Sequence, residues 1–164
     1  MLRNRCAVRT LTGSDERALA ALNAAFAHER PDLGDFHFPN CADTRCHEVQ
    51  KLIAKGEANW SPADIDWLFF KSMTTVGSEQ TVKYAFVRFV VMMLRDEYLG
   101  PASTYIIPDK LDYAGFANWP DGQQRAALNA LIQLAEVWSA DEGYESAAVE
   151  LRDFITTHDR QSRA

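Results

Sequence analysis

The sequence predicts an all-α fold, and three observations carry the prediction. First, the stretch from Thr81 to Leu94 reads TVKYAFVRFVVMML and is broken only by Lys83 and Arg88. A helix that is apolar on nearly every face is buried on nearly every face. Second, helix start and stop signals recur along the chain, clearest at Ser61-Pro62-Ala63-Asp64. Third, the one β-like stretch, Ser103–Ile107, is bounded by Pro101 and Pro108 and has no partner strand. It reads as an extended segment packed on the core. These features predict a single helical domain over residues 1–158, with about six helices wrapped round a Ser78–Tyr98 helix. Residues 159–164 read as a frayed tail.

Each element has a local cause. Ser14 can cap a first helix reaching His28, with Asp15 and Glu16 at the positive end of its dipole. Leu19, Leu22, Ala25 and Phe26 form its stripe, and Pro31 and Gly34 end it. Phe36 and Phe38 anchor the irregular connection that follows. A second helix starts at Asp43 or Thr44 and stops before Gly56, with Cys46, Val49, Leu52 and Ile53 inward. Ser61 caps a third helix, Pro62 suits its first position and Asp64 can reach back to the cap. Ile65, Leu68, Phe69 and Met73 face inward, and Gly77 stops it. Gly100-Pro101 closes the central helix. A short helix covers Asp109–Ala117, and Trp119–Gly122 is a turn. A helix over Gln123–Trp138 carries Leu128, Leu131, Ile132, Leu134 and Ala135. The last runs from Tyr144 to Thr157, with Ala148, Leu151, Phe154 and Ile155 inward.

Composition narrows the class. With 164 residues, 47% of them apolar, the chain can build a sizeable core. A net charge of -6 gains nothing from a phosphate backbone, which argues against nucleic-acid binding. Cys6, Cys41 and Cys46 are too few for a disulfide framework, so a reducing cytoplasm is expected. The N-terminus MLRNRCAVRTLTG lacks the apolar run of a signal peptide. The central run is shorter than the roughly 20 apolar residues that span a bilayer.

Few residues suggest chemistry. Cys41, Cys46 and His47, with His37 upstream, have ligand types that suit zinc, but a structural zinc site pairs two such clusters and only one is visible. No metal or cofactor is expected. Cys41 as a nucleophile would need His37 beside it and Asp43 to orient the ring, and nothing in the spacing demands that arrangement. His28 and His158 stand alone. Asp64 and Asp66 lie two apart on a helix and do not face each other, so they read as a cap and an exposed charge. Arg88, mid-helix between Phe86 and Phe89, must be paired or reach solvent along its stem. A salt bridge to Asp66 or Asp112 is expected, with an anion site as the functional alternative. Lys83 is expected to reach solvent. Trp60, Trp67, Trp119 and Trp138 suit the margin of a core, with the indole edge wet. No G-x-S-x-G, phosphate-cradling glycine loop or H-E-x-x-H is present, so no enzymatic activity is expected.

Between Glu136 and Asp153 the acids Glu136, Asp141, Glu142, Glu145, Glu150 and Asp153 face only Arg152 as a counterion. Such a run is either a solvated face or a surface that steers a basic partner. Three stretches, Thr74-Thr75-Val76-Gly77, Lys83-Tyr84-Ala85-Phe86-Val87-Arg88-Phe89 and Gly115-Phe116-Ala117-Asn118-Trp119-Pro120, resemble a pattern in small bacterial all-helical proteins with no assigned activity. That pattern carries a proline directly before the arginine, where this chain has Val87. The resemblance implies a bacterial cytosolic helical protein and transfers no functional residues. The expectation is a non-catalytic protein-binding protein that docks a basic partner through Glu142, Glu145, Glu150 and Asp153. Its concrete form is a toxin-neutralising immunity protein. The alternative is a regulatory domain that binds a metal or small ligand at Cys41, Cys46 and His47.

Overall fold

The computed structural model describes residues 9–31, 33, 44–73, 76–95 and 106–161, without the side chains of 44–46 and 161. Seven α-helices account for most of these: α1 (Gly13–Ala25), α2 (Thr44–Lys55), α3 (Pro62–Lys71), α4 (Glu79–Leu94), α5 (Ile107–Tyr113), α6 (Asp121–Ser139) and α7 (Glu145–Gln161). Short 3-10 turns at Glu57–Asn59 and Phe116–Asn118 join them. No strand occurs among the described residues; one isolated bridge pairs Ser72 with Val76. The fold is all-α, as the sequence predicts.

The α4 helix is enclosed as its composition requires: between Thr81 and Leu94, Arg88 is the one exposed residue and Val91 is partly buried. Phe86 meets Phe26, Phe69 and Trp119, and Phe89 stacks on Phe69 at 4.8 Å between centroids. Yet α4 is not the only axis. The most extensive helix packing belongs to α6, which lies against α1, α4 and α7, while α3 packs on α4 and α5 on α7. The reason is its Ala-rich stripe. Ala126, Ala127, Ala130, Leu131, Leu134 and Ala135 are all buried, and small side chains let neighbouring helices approach.

Several boundaries differ from the sequence reading, each for a local reason. The cap of α1 is Thr12, not Ser14. Thr12 and Asp15 form a reciprocal capping box, and Asp15 Oδ2 also takes a 2.8 Å bond from Arg9 Nη2. Arg9 Nη1 donates to Leu94 O at 2.9 Å, so one guanidinium ties the start of α1 to the end of α4. Burial works to raise the Asp15 pKa, but the bonds from Thr12 and the charge and bond of Arg9 outweigh it and hold the carboxyl below its usual range. A depressed carboxylate adds stability above its unfolded pKa and loses it as pH falls through the folded value. Asp15→Ala is therefore expected to cost about 1–2 kcal/mol at neutral pH. In paired melts, that difference should shrink below pH 3.8, the ordinary aspartate value.

The Ser61–Asp64 capping box of α3 is present as expected. The helix ends at Lys71 rather than near Gly77, because Met73 turns left-handed (φ 59°) and its N–H bonds Val76 O at 2.9 Å. The central helix stops at Leu94, capped by Arg95; residues 96–98 of the expected span lie outside the described residues. Ile107 opens α5 instead of extending a loop, and Gly115 (φ 70°), left-handed, ends that segment. Helix α6 starts at Asp121, directly after Pro120.

Two apolar residues expected inward are exposed, Ile53 at 46% and Ile132 at 37%. Conversely, Trp119 and Trp138 are core residues at 2% exposure, not margin residues. Trp119 Nε1 donates to Ala114 O at 3.0 Å, which lets the indole go under. Trp60 and Trp67 are partly buried against the core as expected.

Candidate functional site

The structure puts Glu142 in the connection between α6 and α7, and Glu145, Glu150 and Asp153 on α7, all four exposed. The Glu145 carboxylate turns back to accept the Gly143 N–H at 2.9 Å and so helps start α7. A helix advances about 100° per residue. Glu145 and Asp153 therefore share one side of α7, with Val149 between them, four residues from each. Val149 is 52% exposed. Glu150 lies farther round, and Arg152 and Arg160 share the Glu145–Asp153 side. The four acids are thus a broad arc centred on an exposed valine, not one tight patch. Over residues 121–161, eight carboxylates face three arginines, a net of -5 in a chain of net -6. The α6–α7 hairpin carries most of the molecule's net charge.

Cys41 and His37 lie outside the described residues, as do Phe36, Phe38 and the Cys46 side chain. His47 is exposed on α2. Among the described residues no group of three or more His, Cys, Asp or Glu could hold a metal ion. No helix among them is long and apolar enough to cross a membrane.

Arg88 does not pair with Asp66 or Asp112. Its guanidinium lies 3.5 Å over the ring centroid of Tyr84, one helical turn back. Tyr84 is held in turn: its hydroxyl donates to Glu57 Oε2 at 2.8 Å, and Trp60 packs edge-on at 5.8 Å. Burial, helped by the Glu57 bond, raises the Tyr84 pKa, and burial lowers that of Arg88. Asp112 instead bonds His158, with Nε2 to Oδ1 at 3.0 Å. His158, isolated in sequence, is buried against Phe116 and Phe154. That contact explains why α7 continues past Thr157 to Gln161. Asp66 is not an exposed charge: it is half-buried, and burial lifts its pKa to about 6.

Lys83 is buried, not solvated. Its Nζ sits 2.7 Å from Glu79, 3.9 Å from Glu29 and 5.0 Å over the Trp119 ring. Glu29 also accepts from Gln123 Nε2 at 2.8 Å, so the network joins the ends of α1, α4 and α6. Sequence reasoning missed Lys110 altogether. Its Nζ donates to Phe70 O and Ser72 O, both at 2.8 Å, and caps the end of α3. The signal was present: Ile107, Lys110, Leu111 and Ala114 have the spacing of a buried helical face.

Comparison with protein-family models, with curated proteins and with solved structures returns no match.

Proposed function

We propose that the protein is a non-catalytic binding protein that masks a basic protein partner, in the manner of a toxin-neutralising immunity protein in a bacterial cytoplasm. The observation that carries this reading is the concentration of charge on the α6–α7 hairpin, with Glu142, Glu145, Glu150 and Asp153 exposed. Val149 supports it, because an apolar side chain 52% exposed between two carboxylates offers a contact that water would otherwise hold. Complementary charge raises the encounter rate and excludes like-charged surfaces. A nuclease or similar effector with a basic cleft is the kind of partner such a surface fits.

The test is a variant with Glu142→Gln, Glu145→Gln, Glu150→Gln and Asp153→Asn. The partner would be captured on immobilised wild-type chain and its association followed at low and moderate salt. Association should slow about tenfold at low salt and lose much of its salt dependence, with dissociation little changed. Unchanged rates at both salts would show that this arc is only a solvated surface. The fold should be indifferent, since exposed substitutions shift stability by no more than about 0.5 kcal/mol.

A further inference from the structure

Helix α4 opens to solvent at one place between Thr81 and Leu94, and there the chain sets Arg88. The guanidinium lines a cleft of about 180 Å³ shared with Asn23, Glu29, Arg30 and Tyr84. Arg30, at the end of α1, uses Nη1 on two backbone carbonyls, Ala27 O at 3.1 Å and Glu29 O at 2.7 Å. Its remaining donors take no acceptor among the described residues. Arg88, stacked on Tyr84, makes no side-chain hydrogen bond or ion pair among them.

Among the described residues the acids nearby already have partners, and of these the Glu57 charge still acts on Arg88. Glu29 is bonded by Gln123 and approached by Lys83, and Glu57 takes the Tyr84 hydroxyl. Two guanidinium groups therefore face one small polar cleft whose lining is net positive among the described residues, in a chain of net -6. Placing like charges together is unfavourable unless an anion joins them. Stacking on Tyr84 limits the rotamers of Arg88 and leaves its N–H edge without an acceptor among the described residues, the arrangement that suits forked bonds to an oxyanion.

We infer that this cleft between the end of α1 and the middle of α4 binds a phosphate group, held by Arg30 and Arg88. Its size sets the class of ligand. Drug-sized sites take about 300–1,000 Å³, so a cleft of about 180 Å³ admits one phosphate with little beyond it. The ligand is inorganic phosphate or the terminal phosphate of a small phosphomonoester whose remainder stays in solvent. The site lies off the acidic arc and does not depend on the docking function proposed above.

The experiment titrates inorganic phosphate into the full chain at constant ionic strength, following arginine side-chain Nε–H resonances by NMR. Saturable shifts at Arg88 and Arg30 in the millimolar range are expected, with chloride at equal ionic strength giving none. Arg88→Gln should weaken binding at least tenfold, and Arg88→Lys should rescue it only in part, because charge without the fork is retained. Arg30→Gln, at an exposed position, repeats the test should Arg88→Gln melt early. Glycerol phosphate in place of phosphate distinguishes the sources: tighter binding indicates an end group, equal binding the free ion. Shifts that fail to saturate, or that persist unchanged in Arg88→Gln and Arg30→Gln, would overturn the inference.

Discussion

Truncating Phe86 or Phe89 to alanine is expected to lower the free energy of unfolding by about 3–5 kcal/mol. Both rings are fully buried; Phe86 meets three aromatic rings, and Phe89 stacks on that of Phe69. Removing Phe86 withdraws contacts from Phe26, Phe69 and Trp119 at once, so α1, α3 and the Phe116–Trp119 segment all lose packing against α4. The loss combines transfer of the ring with the cavity left behind, and a cavity walled by four elements cannot collapse cheaply. Whole domains are stable by only about 5–15 kcal/mol, so either change removes a large share. In denaturant unfolding the midpoint should fall with the slope unchanged, and the melting temperature should drop on the order of 10 °C. Val149→Ala serves as the contrast: that side chain is 52% exposed and the change should cost under about 0.5 kcal/mol. Phenylalanine variants that melt within a degree or two of wild type would show that α4 is not part of the core.

Replacing Lys110 by methionine is expected to cost about 2–4 kcal/mol, although the substitution keeps the apolar stem. The lysine satisfies two carbonyls at the end of α3, and Ser72 is fully buried. Each carbonyl left without a donor away from water costs about 1–3 kcal/mol. The effect should depend on pH with a definite sign. Burial, with the charge of Lys71, lowers the Lys110 pKa from 10.5 to about 8. Between those values the unfolded chain binds more protons than the folded one, so stability rises with pH. A neutral amine still carries two N–H bonds, enough for both carbonyls. The wild type should therefore gain on Lys110→Met as pH climbs from 8 towards 10.5. Other groups titrate in both proteins and cancel in the difference. A difference that stays flat across that window would mean that Lys110 remains charged in the fold.

What could be read from the sequence follows the range of the interaction. The Ser61–Asp64 capping box, the span of α2, the inward leucines of α6 and the enclosure of α4 depend on residues within a few positions of one another. Composition and spacing therefore announced them. The exposed acids of α7 were legible too, because charge run and helical period both lie in the local sequence. Where a stronger neighbour competed, even local reading slipped: Thr12 took the cap from Ser14 because Asp15 could answer it.

Three side chains escaped for one shared reason. Lys110 and the Phe70 carbonyl are 40 residues apart, His158 and Asp112 are 46 apart, and Tyr84 and Glu57 are 27 apart. Which partner a buried charge or ring nitrogen finds is set by how helices pack, and the local pattern does not encode that. Arg88 shows the division in one residue. By itself the sequence determined that a guanidinium within an apolar helix must reach solvent or a partner, because leaving it buried and unpaired costs too much. Only the tertiary structure decided the outcome. The packing of α1, α3 and α6 covered every side of α4 except the one carrying Arg88, and so left that guanidinium on Tyr84 at the edge of a cleft.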